Sequence, residues 1–130
     1  MSQVSSSLFS VLIGINKYRN PSIVDLQGAV NDANAVEDFL VSEVGASKDR
    51  IVNLRDQEAT REGIVDALRN LANHSAIRAH DPILIYFAGH GSDAPSPAVG
   101  NLSNGAKGRA LLPHDFGCDG ANTGPTRGYI

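Results

Sequence analysis

The sequence predicts an α/β fold in which helices cover both faces of a mostly parallel sheet. Three short apolar runs, at residues 8–15, 51–54 and 83–87, have the length and β-branched content of strands buried on both faces. Two segments with apolar residues at helical spacing lie between them. Strands that alternate with helices form right-handed β-α-β units, and such units build a parallel sheet.

The first half of the chain carries one complete unit of this kind. Leu8–Ile15 is the first predicted strand, and residues 16–27 form a loop with a turn at Asn20 and Pro21. A helix is predicted from Gly28 to Val44, because Ala29, Ala33, Val36, Leu40 and Val44 share one helical face.

The second half is predicted to repeat the pattern and then lose it. Ile51–Leu54 is the second strand, and Thr60 is the expected N-cap of a helix that carries Ile64 and Leu71. Ile83–Phe87 is the third strand. Residues 93–109 are rich in Pro, Gly, Ser and Asn and are expected to form a long flexible loop before a fourth strand at Ala110–Pro113. Because the C-terminal residues resemble a loop that leads into another element, we expect an incomplete domain.

Composition limits the classes of protein that need to be considered. The 130 residues suffice for one domain, and a net charge of −3 with a pI near 5.7 argues against nucleic acid or an anionic membrane as partner. No apolar run approaches the roughly 18 residues of a membrane-spanning helix. A single cysteine excludes an internal disulfide. We expect a cytoplasmic protein with residues 1–7 disordered and residues 8–130 in one domain.

The clearest candidate for chemistry is His90, which lies between Gly89 and Gly91 directly after the third strand. Ligands of open α/β sheets bind beyond the carboxyl ends of the strands. There a histidine can act as a general base, and the amide of Gly91 can donate to a developing oxyanion. The alternative is an ordinary strand-end turn with an incidental histidine.

Other polar residues give weaker signals. His114 and Asp115 could form a pair or contribute to a metal site, but no metal-ligand spacing occurs, and we predict no metal and no cofactor. Cys118 precedes Asp119 with no Lys or Arg nearby, a setting that disfavours a reactive thiolate. Asp32 begins the first helix, where the helix dipole favours a carboxylate, or where it could face a basic substrate group.

Five segments in order resemble the caspase-like cysteine peptidases, and most closely their metacaspase and fungal caspase-domain branch. The match covers about Leu8 to Phe116. The segments are Leu12–Tyr18 (LIGINKY), Leu26–Ala33 (LQGAVNDA), Asp56 with Ala59–Arg61 (ATR), Ile85–Ser92 (IYFAGHGS) and Leu111–Asp115 (LLPHD).

This resemblance implies a caspase-like three-layer fold, apparently truncated, and peptide cleavage by a Cys-His dyad. His90 matches the family's catalytic histidine, and Gly91 matches the residue whose amide helps form the oxyanion hole. Asp32 matches an aspartate that lines an acidic pocket, so the implied substrate is a peptide or protein with a basic residue before the cleaved bond.

The chain also departs from the family pattern. Ala29 and Ala88 replace the Cys and Ser that metacaspases often have at two pocket positions. Residues 94–114 contain no Asp or Glu, and calcium needs such oxygen ligands, so no calcium site is predicted.

The nucleophile is the largest departure. The family's cysteine follows the histidine by roughly 50 residues, whereas Cys118 follows His90 by only 28 in a different context. We therefore expect residues 1–130 alone to be inactive. Two alternatives stay open: a non-catalytic caspase-like binding or regulatory module, and an unrelated flavodoxin-like ligand-binding domain.

Overall fold

The computed structural model describes residues 6–94, 108–118 and 130. Its main sheet has three parallel strands in the order β2-β1-β3. These strands are β1 (Phe9–Gly14), β2 (Ile51–Arg55) and β3 (Ile83–Ala88). The central strand β1 is buried along its whole length, which explains why its sequence is apolar without alternation.

Two helices connect the strands and pack on opposite faces of the sheet. Helix α1 (Ala29–Phe39) follows β1, and helix α2 (Arg61–Ala72) follows β2. Val11 and Ile13 pack with Ile64 and Ala67 on the α2 face, whereas Leu12 packs with the partly buried Val36 on the α1 face. The predicted three-layer α/β arrangement is confirmed.

The first helix differs from its prediction only near its end. The α-helical hydrogen bonding stops at Phe39, and Leu40–Val44 continues as a π-helical turn. Gly45 then ends the helix with a φ of 78°, a left-handed conformation that glycine adopts without steric cost. Short 3₁₀ turns at Lys48–Arg50 and Asp56–Glu58 flank β2.

The predicted fourth strand does not join the main sheet. Instead β4 (Gly91–Ala94) pairs antiparallel with β5 (Gly108–Leu111) to form a separate two-stranded sheet. The expected loop at 93–109 therefore begins and ends in strands, while its residues 95–107 lie outside the described part of the chain. The Gly- and Ser-rich sequence of β4 lacks the apolar pattern of a strand, so periodicity could not reveal it.

Candidate active site

The carboxyl ends of the three parallel strands bring three polar residues to one edge of the sheet. Gly14 at the end of β1 pairs with Arg55 on β2 and with Ala88 on β3. Just beyond these strand ends lie Asn16, Asp56 and His90, which follow Gly14, Arg55 and Ala88 by two, one and two residues. This edge is where an open α/β sheet binds its ligands.

Asp56 holds the loop that follows β1. Its carboxylate Oδ1 accepts the main-chain N–H groups of Asn16 at 2.8 Å and of Lys17 at 2.9 Å. Asp56 itself has a φ of 44°, which is uncommon for a residue with a side chain. The two hydrogen bonds compensate for that conformation and fix the path of the chain toward Tyr18.

The imidazole of His90 is held by a main-chain carbonyl. Its Nε2 lies 2.7 Å from the carbonyl oxygen of Val24, in the loop between β1 and α1. A carbonyl oxygen only accepts hydrogen bonds, so Nε2 carries the proton and the lone pair of neutral His90 is on Nδ1. The geometry thus presents Nδ1 as the basic atom.

Tyr18 contacts His90 in two ways. Its hydroxyl oxygen accepts the main-chain N–H of His90 at 2.8 Å, and the two rings lie 5.2 Å apart at a tilted angle. The hydroxyl also donates to the carbonyl oxygen of Leu112 at 3.1 Å. Burial raises the pKa of Tyr18, as does the negative charge of Asp56, while the hydrogen bond from His90 lowers it. The phenol therefore stays protonated and able to donate.

Gly91 begins β4, and the pairing pattern leaves its amide outside that ladder. Leu112 donates to the carbonyl of His90 at 3.0 Å, which makes 90 and 112 a hydrogen-bonded pair. Antiparallel pairs alternate, so Gly91 and Leu111 form a non-hydrogen-bonded pair. The N–H of Gly91 consequently points away from β5.

Asp32 lies at the same edge but is not drawn into the His90 cluster. It occupies the first turn of α1, its side chain is exposed, and its main-chain N–H donates to the carbonyl of Gly28. The two alanines that depart from the pattern the sequence resembles are Ala29, which is buried at the start of α1, and Ala88, which ends β3. The carboxylate of Asp32 is thus exposed at the start of α1.

His114 and Asp115 are adjacent in sequence but act separately. Buried His114 donates from Nδ1 to the carbonyl of Lys17 and accepts the N–H of Arg19 on its own carbonyl. The carboxylate of Asp115 accepts the N–H of Arg61 at the start of α2. Both residues secure the frame of the site.

The half-buried thiol of Cys118 lies 3.7 Å from the carbonyl of Phe116, a contact within its own turn.

Within residues 6–94, 108–118 and 130, no three His, Cys, Asp or Glu side chains converge as a metal site requires. None of the helices in the described part of the chain is long and apolar enough to cross a membrane.

A cavity of about 340 Å³ lies elsewhere, between β2 and α2. Phe9, Arg50 and His74 line it near the amino ends of the strands. None of the residues that the sequence singled out for chemistry lines it.

Sequence reasoning singled out His90 and Gly91 but not the groups that hold them in place. Val24 contributes its main-chain carbonyl, a group that every residue has, so the sequence carries no signal for it. Tyr18 and Asn16 lie in Leu12–Tyr18, a segment that entered the sequence analysis only through its resemblance to the caspase-like peptidases. A polar or aromatic residue directly after a buried strand is the signal that could have identified them.

Comparison with known proteins agrees with this geometry. The family model of the metacaspase peptidase C14 domain matches residues 10–123. Metacaspase-1 of Candida albicans is 32% identical over 120 residues, which is 85% of this chain and 26% of that protein. Metacaspase-3 of Arabidopsis thaliana is 35% identical over 89 residues, 64% of this chain and 24% of that protein.

A solved structure supports the fold independently. A crystal structure of a protein from Geobacter sulfurreducens superposes with a TM-score of 0.64 at 19% identity, covering 83% of this chain and 39% of that one.

The chain spans about a quarter of the length of the curated relatives given above. By its sequence match over residues 10–123 and its caspase-like α/β fold, the chain belongs to the metacaspases, as a caspase-like cysteine peptidase domain.

Proposed function

We propose that this domain supplies the histidine and an oxyanion-hole amide of a cysteine endopeptidase. The observation that carries the proposal is the 2.7 Å contact between Nε2 of His90 and the Val24 carbonyl. It leaves the lone pair of Nδ1 free to take a proton. The same carbonyl dipole stabilises the imidazolium once that proton has arrived.

The reaction follows from these positions. A cysteine thiol gives its proton to Nδ1 of His90, and the thiolate attacks the peptide carbonyl carbon. The amide of Gly91 donates to the oxyanion. His90 then passes the proton to the leaving amine as the C–N bond breaks. Water, deprotonated by His90, hydrolyses the thioester and regenerates the thiol.

We propose further that Cys118 is not the nucleophile. Its thiol contacts the carbonyl of Phe116 in its own turn, and it follows His90 by 28 residues. A cysteine outside residues 1–130 would then supply the thiolate. Residues 1–130 alone should bind peptides without hydrolysing them.

The substrate is proposed to be a peptide or protein with Arg or Lys before the cleaved bond. The exposed carboxylate of Asp32 stands at the carboxyl edge that also carries His90. A cation near it gains a charge-assisted hydrogen bond.

The decisive experiment uses the whole protein that contains this chain and two peptides that differ only in Arg or Asp at the cleaved position. We expect cleavage after Arg, and a loss of about 10²–10⁴-fold in kcat/KM for His90→Ala. His74→Gln is the matched control, since His74 lies near the amino ends of the strands, and it should retain activity. Equal cleavage by His90→Ala would remove His90 from the mechanism.

Two further variants test the remaining residues. The Cys118→Ser variant should still cleave the Arg peptide. Loss of cleavage in this variant would identify Cys118 as the nucleophile. Asp32→Asn should lower kcat/KM for the Arg peptide by roughly tenfold, whereas Asp38→Asn, an exposed acid farther along α1, should not. Preference for the Asp peptide would overturn the basic-site assignment, and no cleavage at all would favour a non-catalytic module.

We also infer a cytoplasmic location and no nucleic-acid partner. The first fits the single cysteine, which excludes an internal disulfide in this chain, and the second rests on the acidic net charge of −3. Cell fractionation tests the first, and retention on immobilised DNA or RNA at low salt would contradict the second.

A further inference from the structure

The hydroxyl of Tyr18 occupies a place where a main-chain hydrogen bond belongs. In an antiparallel ladder, a hydrogen-bonded pair of residues exchanges two N–H···O bonds. His90 and Leu112 exchange only one directly, from the N–H of Leu112 to the carbonyl of His90 at 3.0 Å. The second is replaced by a relay through Tyr18, which accepts from His90 at 2.8 Å and donates to Leu112 at 3.1 Å.

The Tyr18 hydroxyl thus lies between the two chain segments at the start of the β4–β5 ladder. The oxygen of Tyr18 lies between the amide of His90 and the carbonyl that the amide would otherwise reach. Gly89 makes the arrangement possible, since a Cβ there would lie 3.0 Å from the Tyr18 oxygen and 2.9 Å from the Phe87 ring. The turn into His90 is therefore shaped around the hydroxyl.

The other end of Tyr18 is tied to the second support of His90. Its main-chain N–H donates to the carboxylate of Asp25 at 3.1 Å, and Asp25 follows Val24 directly. Asp25 also forms an ion pair with Lys17. Tyr18 thus links the main chain of His90 to the segment around Val24, whose carbonyl holds the His90 ring.

We propose that Tyr18 is a positioning residue for His90 and Gly91. Its hydroxyl keeps the 90–112 pair open and so sets the orientation of the His90 ring on the Val24 carbonyl and of the Gly91 amide. Without the hydroxyl, the amide of His90 can bond directly to Leu112, and the ring turns away from Val24. The catalytic meaning of this role rests on the function proposed above.

The test is Tyr18→Phe in the isotope-labelled whole protein that contains this chain, read by NMR. Phenylalanine keeps the buried ring and removes only the hydroxyl. We expect loss of the contacts between the His90 ring and Val24, and displaced amide signals for His90 and Gly91. Tyr86→Phe is the matched control, because Tyr86 packs on the α1 face of β3, and it should leave these signals in place. Unchanged His90–Val24 contacts in a folded Tyr18→Phe chain would overturn the proposal.

A second variant keeps the test decisive if Tyr18→Phe does not fold. Gly89→Ala retains the hydroxyl but crowds it, and should displace the same His90 and Gly91 signals. If it leaves them unchanged, the proposal fails. These readouts do not depend on peptidase activity, so a whole protein that cleaves nothing would overturn the proposed function and leave the positioning role standing.

In the active whole protein, the role predicts a particular kinetic pattern. Tyr18→Phe should lower kcat with little change in KM, because the substrate contacts stay and only the reacting groups are misaligned. A raised KM at unchanged kcat would contradict a positioning role.

Discussion

The side-chain oxygen of Asn16 accepts the main-chain N–H of Ala29 at 2.8 Å, and this bond joins the end of β1 to the start of α1 across thirteen residues. The same Oδ1 lies 3.3 Å from the N–H of Val30. Gly28, the residue at the N-cap position, has no side chain with which to cap the helix. A remote asparagine therefore does the work that a local Ser, Thr or Asp performs elsewhere.

Asn16→Ala should destabilise the domain by about 1–2 kcal/mol, the usual cost of a lost N-cap. Chemical denaturation followed by circular dichroism measures the change. Asn70→Ala is the control, since Asn70 is exposed on α2, and it should change the free energy of unfolding by less than about 0.5 kcal/mol. Equal effects of the two substitutions would show that the Asn16 bond contributes nothing specific.

Two glycines at the ends of the same loop should respond in opposite ways to alanine. A Cβ on Gly14 would lie 2.8 Å from the carbonyl of Ala29 and 2.9 Å from the Cβ of Ala33, whereas a Cβ on Gly28 meets nothing within 4 Å. Gly14→Ala should cost about 1–3 kcal/mol through overpacking of α1 on β1. Gly28→Ala should be neutral or slightly stabilising, and a comparable loss there would refute the close-approach explanation.

Ile13 and Ile85 offer a matched comparison of burial. Both point to the α2 face of the sheet from neighbouring strands, but Ile13 is 1% exposed and Ile85 is 55% exposed. Ile13→Ala should cost about 2–5 kcal/mol, and Ile85→Ala less than about 1 kcal/mol. Thermal and urea unfolding of both variants checks this. A large cost at Ile85 would mean that this side chain is covered in solution.

The exposed apolar side chains of β3 carry a second consequence. Ile83 is also 49% exposed, so the two isoleucines form an apolar patch beside an unpaired strand edge in the described part of the sheet. We expect the 130-residue chain to aggregate as its concentration rises. Ile85→Thr should reduce this, as measured by light scattering, while a sharp thermal transition from a stable monomer would contradict the expectation.

Tyr18 should make stability fall at alkaline pH. Its pKa is raised in the folded chain, mainly by burial, so the folded state binds the phenolic proton more tightly than the unfolded state does. The resulting stabilisation is complete below the unfolded value of about 10 and is lost as pH rises through the folded pKa.

Tyr18→Phe should therefore flatten the decline of unfolding free energy above about pH 10. Tyr86→Phe is the control, because in that variant the unfolding free energy should still decline above this pH as it does in the unchanged chain. If Tyr18→Phe and the unchanged chain lose stability in parallel, ionisation of Tyr18 is not coupled to folding.

The sequence alone predicted the layered architecture because the core strands and helices carry strong periodic signals. Leu8–Ile15 reads as a buried strand because β1 has helices on both faces. Thr60 was identifiable as an N-cap, and its hydroxyl does accept the N–H of Gly63 at 3.0 Å. The strand at Gly91–Ala94 was not predictable, since its pairing with Gly108–Leu111 depends on a partner across a long connection.

For the candidate site, residue type and position in the sequence point to His90 and Gly91. The sequence also determined the charge, the single cysteine and the family motifs. Only the tertiary structure decided which nitrogen of His90 carries the proton, because that depends on the main-chain carbonyl of Val24. The tertiary structure also decided that the Tyr18 hydroxyl lies between His90 and Leu112. These residues follow Tyr18 by 72 and 94 positions, a separation that local sequence patterns do not encode.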